Sequence, residues 1–324
     1  MRAIRVHEQG GPEVLRLEEV DDPILGEGQA LVRLDAVGVN MIDVQQRSGA
    51  YPVDLPFTPG AEGAGTVVDV AADVDDVRVG DAVAFASGVR GAYAELVIAS
   101  ESRLVPVPAD VPTETAAAVL LQGMTAHYLA RSVVALEPDD VVVVHAAAGG
   151  VGSLLTQLAS RRGIRVIGTT STEEKAAIVR GAGATDVVIR GRDDLGAVVG
   201  ERSGGAGARA VFDSVGKDTF DRSLSVLARR GCLVAFGQSS GAVPPFDVRR
   251  LQAAGSVFLT RPGLGDYTAD RDELLGRARD VFSLVGSGSL SVRIHARYPL
   301  EEAPEAHRAL QSGATSGKLL LLPR

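Results

Sequence analysis

The residues with the clearest chemical use are His145-Ala146-Ala147-Ala148-Gly149-Gly150-Val151-Gly152, which follow the valine run Val141–Val144 without a gap. A glycine turn lets the backbone approach a pyrophosphate, and the free N–H groups at the start of a following helix then face the negative charge. The context that such a turn needs is present. Val141–Val144 reads as a strand buried on both faces, and Ser153–Ser160 reads as a helix with Leu154, Leu155 and Leu158 on one side. Strand, glycine turn and helix form the opening of a Rossmann βαβ unit. The spacing here is A-x-G-x-x-G, with Ala147 at the first position. A glycine turn that only packs a helix on a sheet is the alternative, and the strand–turn–helix context favours dinucleotide binding.

The next residues choose the dinucleotide. An NAD-selective site places Asp or Glu at the tip of the second strand, about 20 residues after the glycines, to hold the ribose 2′-hydroxyl. Here the tip is Gly168-Thr169-Thr170-Ser171, with Lys175 one helical turn on and Arg190 past the next strand. Hydroxyls and cations suit a 2′-phosphate, so NADPH is expected over NADH. Lys175 and Arg190 would serve equally as plain surface charge, and Glu173 and Glu174 bring a competing negative potential.

Other chemistries lack their residues. A catalytic zinc needs a set of Cys, His and carboxylate ligands, whereas Cys232 is the single cysteine and the histidines (His7, His127, His145, His295, His307) show no metal spacing. No G-x-S-x-G elbow is present for a nucleophilic serine. Reduction would then rely on positioning and hydrogen bonds.

The elements around these residues fall into two textures. The first hundred residues are β-rich, with alternating runs at Leu15–Val20, Ala30–Val37, Gly65–Val70 and Tyr93–Ile98, and with Asn40 placed to cap a short helix, Met41–Arg47. Thr113–Leu121 is helical, Gly123 is expected to interrupt it, and a second helical run reaches about Val134. Strands and helices then alternate: Arg165–Gly168, Glu173–Arg180, Asp186–Ile189, Leu195–Glu201, Ala210–Asp213, Phe220–Leu227 and Leu233–Gly237. That rhythm implies a parallel sheet covered on both faces. Ser256–Thr260 reads as one more strand, and the tail (a helix from Ala269 to Val285, Val292–Tyr298, a helix from Glu301 to Gln311, Leu319–Leu322) leaves the βαβ repeat.

Composition sets the outer bounds. At 324 residues the chain has room for two cores. A net charge of −8 argues against a general nucleic-acid or anionic-membrane surface. No apolar run approaches the ~20 residues of a membrane span, and a lone cysteine fits a reducing, cytoplasmic setting.

With these motifs in hand the chain resembles the zinc-independent quinone oxidoreductases, the zeta-crystallin-like branch of the medium-chain dehydrogenase/reductase superfamily, over almost its whole length. The resemblance is carried by Gly10–Leu15, Gly38–Asp43, Arg47–Pro52, Pro59–Gly65, His145–Gly152, Asp213–Gly216, Phe236–Gly241 and Thr260–Pro262. In the zinc-dependent relatives a histidine stands at Ala61 and a cysteine ligand falls around Asn40. The resemblance implies an α/β fold: a Rossmann doubly wound parallel sheet domain plus a β-rich GroES-like catalytic domain. The boundaries expected are 1–121 and 263–324 for the catalytic domain and 122–262 for the Rossmann domain, with the nicotinamide in the cleft between them. It places Asn40, Thr125, Gly149, Gly150, Val151, Gly152, Ser171, Lys175, Arg190, Val215, Phe236, Gly237 and Ser239 along NADPH, with Lys318 reaching towards the cleft. It also implies a homodimer paired through the Ser256–Thr260 edge strand.

One departure stands out: Gln45 holds a position where close relatives carry tyrosine, while Tyr51 is kept. Glutamine can donate a hydrogen bond but is not a practical acid. Asn40, Gln45 and Tyr51 are the substrate-side candidates, and no residue is assigned as the catalytic acid. The activity implied is NADPH-dependent reduction of small quinones without metal. The alternatives are enone or enoyl reduction on the same fold, and an NADPH-sensing or RNA-binding protein with weak activity, which the negative charge disfavours.

Overall fold

A computed structural model describes residues 1–323. The chain divides into two compact units: Met1–Met124 together with the tail from Tyr267, and Thr125–Asp266. Among the described residues no helix is long and apolar enough to cross a membrane.

The first unit is built on the long strand Gln29–Val39. Its first half alternates, burying Ala30, Val32 and Leu34, as a strand with one covered face should. From Ala36 to Val39 every residue is buried. The strand has three antiparallel partners: Leu96–Ser100 against its first half, Glu62–Val70 along most of its length, and Lys318–Leu322 against Val37–Val39. The tail therefore returns to complete the first sheet, which is why it leaves the βαβ rhythm. Ile294–Pro299 extends that sheet beyond Lys318–Leu322, and Ala82–Ala86 and Val105–Pro106 extend it on the other side. Ile4, Leu34, Phe85, Tyr93, Leu104 and Leu321 fill the core of this unit.

Gly123 does not interrupt its helix. Thr113–Tyr128 runs on through it and ends in a π-helical turn, Leu129–Val133. A glycine inside a helix costs roughly 1 kcal/mol against alanine, but here a Cβ would lie 2.7 Å from Val281 Cγ1 on the Arg271–Gly286 helix. Close approach of two helices, rather than a helix end, accounts for this glycine.

The second unit holds six parallel strands, in the order Asp186–Ile189, Arg165–Thr170, Val141–Val144, Ala208–Asp213, Leu227–Ala235, Phe258–Thr260. The chain starts in the middle, winds out to one edge, then crosses back and winds out to the other, which is the doubly wound order. All four valines of Val141–Val144 are buried, as expected for a strand covered on both faces. The helix expected over Phe220–Leu227 is shorter, Phe220–Ser225, because Leu227 already opens the fifth strand, on which Cys232 lies as a buried free thiol.

Candidate functional site

Register alignment puts the strand tips of the second unit at one end. Val144 lies beside Gly168 and Phe212, Thr170 beside Ile189, and Asp213 beside Ala235. The residues that follow these partners therefore share the carboxyl end of the sheet, where ligands of doubly wound sheets bind. They are His145–Gly152, Ser171, Arg190, Val215 and Phe236–Ser239.

The glycine turn is closed by Gly149 N–H donating to Ala146 O at 2.9 Å, with Ala146 in the left-handed region at φ 49°. A Cβ on Gly152 would sit 2.5 Å from Ala146 O and 2.8 Å from Ala147 Cα, so the helix can start against the turn only with glycine there. Gly149 is the N-cap of the helix Gly150–Ser160, and no side chain caps it. The next two helices are capped, by Thr172 and by Asp194. The first-turn N–H groups of Gly150, Val151 and Gly152 thus have no acceptor from their own helix, which is the arrangement a pyrophosphate requires. Ala147 is tolerated at the first glycine position because Gly168 faces it. A Cβ on Gly168 would lie 2.9 Å from the Ala147 methyl and would also run into Val179 Cγ1.

Asp213, buried at the tip of its strand, is the hub that joins these tips. Its Oδ1 accepts from Val215 N (2.8 Å) and Gly216 N (3.0 Å), and its carboxylate also accepts from the hydroxyls of Thr219 and Ser223, each at 2.8 Å. The Ser223 hydrogen is spent on Asp213, so His145 Nε2–H must donate to Ser223 Oγ (3.0 Å). His145 Nδ1 is then left to accept from the Thr169 hydroxyl at 2.9 Å. Burial lowers the His145 pKa against the opposing pull of the Asp213 charge, and Arg190 lowers it further, in keeping with a neutral ring. One buried chain, Thr169–His145–Ser223–Asp213, so links the glycine turn, the Thr169–Ser171 tip and the Val215 loop. That loop is stitched to the next one: Phe236 N donates to Asp213 O (2.9 Å) and Ser239 N to Ser214 O (3.1 Å). A Cβ on Gly237 would lie 2.7 Å from Ser214 O. Val215, Phe236, Gly237 and Ser239 are thus brought together.

At the acid-free tip, Arg190 N donates to Thr170 O at 2.8 Å, and Lys175 N donates to the Thr172 hydroxyl at 3.3 Å. Ser171 and Arg190 are exposed, and Lys175 is partly buried, which lowers its pKa. Thr125 is buried on the Thr113–Tyr128 helix.

Asn40, Gln45, Tyr51 and Lys318 belong to the first unit. Lys318 opens an apolar strand and is buried, and its Nζ donates to Glu62 Oε2 (2.5 Å) and Asn40 Oδ1 (2.7 Å). An ammonium only donates, so the Asn40 atom facing it must be the oxygen. Asn40 Nδ2 then donates to Gly38 O and Glu62 Oε2, both at 3.0 Å, so both amide hydrogens are engaged and only acceptor capacity remains. Glu62 Oε1 accepts from Leu121 N at 2.7 Å. Asn40 is the N-cap of the Met41–Arg47 helix, with its N–H held by Asp43 Oδ2 at 2.8 Å. Asp43 also accepts from the Tyr93 hydroxyl (3.2 Å), which in turn contacts His307 Nε2 (2.9 Å). Burial raises the Asp43 carboxyl to about 7 and lowers His307 to about 3. Gln45 is partly buried on the same helix, and its carbonyl accepts from Tyr51 N at 3.0 Å.

Glu62, Asp213 and His145 lie in stretches singled out from sequence but, like Ser223, were given no role at the site. The available signals were a glutamate in a Gly/Ala-rich apolar strand, a lysine opening an all-leucine strand, and an aspartate at a strand tip followed by a small residue. Among the described residues, no three His, Cys, Asp or Glu side chains gather where they could hold a metal ion.

Residues 26–109 match the alcohol dehydrogenase GroES-like domain, and residues 150–269 match the family described as zinc-binding dehydrogenase. Quinone oxidoreductase 1 of Escherichia coli is 41% identical over 99% of each chain. The crystal structure of Escherichia coli quinone oxidoreductase complexed with NADPH superposes with a TM-score of 0.97 at 40% identity, covering 100% of both chains. A mycobacterial protein solved in complex with NADPH gives 0.96 at 47% identity, again over 100% of both chains.

Proposed function

Because the chain belongs to the zeta-crystallin-like quinone oxidoreductase branch of the medium-chain dehydrogenase/reductase superfamily, we propose that it is an NADPH:quinone oxidoreductase that reduces small quinones without a metal. The observation that carries the reading is the uncapped helix start behind the Gly149–Gly152 turn, set beside a strand tip, Thr169–Ser171, that bears hydroxyls and no acid. NADPH, when bound, supplies the reducing electrons.

The chain's own residues bind and orient. The N–H groups of Gly150, Val151 and Gly152 receive the pyrophosphate. Ser171, Lys175 and Arg190 hold the 2′-phosphate, whose charge and acceptor oxygens match hydroxyl and cationic donors. Asp213 fixes the loop of Val215 and, through it, Phe236, Gly237 and Ser239, which line the rest of the dinucleotide. On the substrate side Tyr51 and Gln45 are the donors. Asn40, with both amide hydrogens engaged, offers an oxygen to the nicotinamide side. Lys318 orients Asn40 and keeps one ammonium hydrogen beyond its two bonds.

Metal-free chemistry is supported by the side chains. Ala61 replaces a histidine ligand, and at Asn40, around which the cysteine ligand of zinc enzymes falls, an ammonium lies 2.7 Å away and would repel a cation. The Phe258–Thr260 edge strand, with Phe258 63% exposed, supports pairing of two copies of the chain through that edge.

The test is a screen of NADPH oxidation with benzoquinones, naphthoquinones and enones, with metal content measured on the same sample. Quinone-dependent oxidation that survives a chelator is expected. Turnover of enones alone, binding of NADPH with no turnover, or activity restored only by zinc would each overturn the reading.

A further inference from the structure

The strand tip carries no acid, yet an acid stands close by. Glu173 opens the helix Glu173–Gly181, about 20 residues after Gly152, the distance at which an Asp or Glu takes the ribose 2′-hydroxyl of NAD. Left free, it would repel a 2′-phosphate and favour the unphosphorylated dinucleotide.

It is not free. Glu173 Oε1 accepts from Arg180 Nη1 at 2.7 Å, and Oε2 accepts from Arg192 Nη1 at 2.8 Å. Arg180 comes from the far end of the same helix, and Arg192 follows Arg190 past the strand Asp186–Ile189. Arg192 is itself held. Its Nε and Nη2 donate to the two oxygens of Asp193, at 2.8 Å and 3.1 Å, and Asp193 Oδ2 accepts from Ile189 N at 2.8 Å. The arrangement is therefore anchored to the backbone at the strand end. These pairs are exposed, and such pairs add little to folding stability. Their effect is local: each oxygen of the Glu173 carboxylate accepts from an arginine, and its charge is offset.

We propose that Arg180 and Arg192 are specificity-determining residues that act through Glu173, occupying its carboxylate so that the site prefers the 2′-phosphorylated dinucleotide. The proposal rests on the NADPH reading above and extends it to two arginines that act through Glu173. An unmasked carboxylate at roughly 6 Å in water, facing a phosphate of nearly two charges, would weaken NADPH binding about five- to tenfold.

The experiment measures NADPH and NADH dissociation constants by fluorescence titration of the full chain without quinone, with KM and kcat as a second readout. If the unsubstituted protein binds NADH as tightly as NADPH, it is the NADPH reading that fails, before any variant is made. Given a preference for NADPH, the R180Q/R192Q variant should bind NADPH about five- to tenfold more weakly and NADH at least as tightly, with KM rather than kcat moving. Adding Glu173→Gln to that variant should restore NADPH binding to within about twofold of the unsubstituted protein. An unchanged NADPH/NADH ratio in R180Q/R192Q overturns the proposal. So does a triple variant that stays weak, since the arginines would then act on the phosphate directly.

Discussion

Replacing Lys318 by methionine should destabilise the first unit by about 3–5 kcal/mol, the cost of breaking a buried ion pair from one side. The size follows from burial. Lys318 is 1% exposed and Glu62 0%, and their contact is 2.5 Å. Without the ammonium, Glu62 keeps only the neutral donors Asn40 Nδ2 and Leu121 N, which cannot compensate a full charge away from water. Methionine fills much of the lysine volume, so a cavity contributes little. For a unit of this size about 2–4 °C of melting temperature goes with each kcal/mol, so the shift should be on the order of 10 °C. Calorimetry or urea unfolding of K318M, E62Q and the double variant gives the cycle. With both charges gone, the double variant should lie well above K318M in stability and show a coupling of about 2 kcal/mol or more. Single costs below about 1 kcal/mol, or costs that simply add, would refute the reasoning and mean that water reaches the pair.

Gly168→Ala places a methyl against Ala147 and Val179. It should cost about 1–3 kcal/mol and weaken NADPH binding by shifting the turn. The A147G/V179A/G168A variant should recover most of the binding, and a triple variant no better than G168A alone would show that the contact is not the cause. Asp43 and His307 make stability depend on pH in opposite directions. Asp43, raised to about 7, holds in the folded state a proton that the unfolded chain releases near 4, so its contribution is lost as pH rises through 7. His307, lowered to about 3, stays neutral while the unfolded chain protonates below about 6.5, so its contribution is lost as pH falls from there towards 3. D43N should therefore lose less stability than the unsubstituted chain between about pH 5 and pH 8 in urea unfolding. An unchanged difference would argue that Asp43 is ionised throughout.

What could be read from sequence was what local stereochemistry decides. The valine run, the glycine turn and the leucine spacing after it reported a phosphate-binding helix start, because strand period, glycine backbone freedom and helix period act over a few residues. The absence of an acid at Thr169–Ser171 was equally visible. Gly123 was misread because propensity treats glycine as a breaker, whereas the closeness of Val281 is a property of packing.

The tertiary structure decided which charges meet. Lys318 and Glu62 are 256 residues apart in the chain, and no periodicity joins them. Only the antiparallel pairing of Lys318–Leu322 with Val37–Val39, and of Glu62–Val70 with the same strand, puts the ammonium on the carboxylate and turns the Asn40 amide. Glu173 was visible as a competing charge, but that both of its oxygens are occupied depends on a strand register that brings the Arg190–Asp193 loop beside the Glu173 helix. By itself the sequence determined that a dinucleotide phosphate could dock, since that takes one turn and one helix. Which charges that dinucleotide meets was left to the sheet, because a charge acts on whatever folding places within a few ångströms of it.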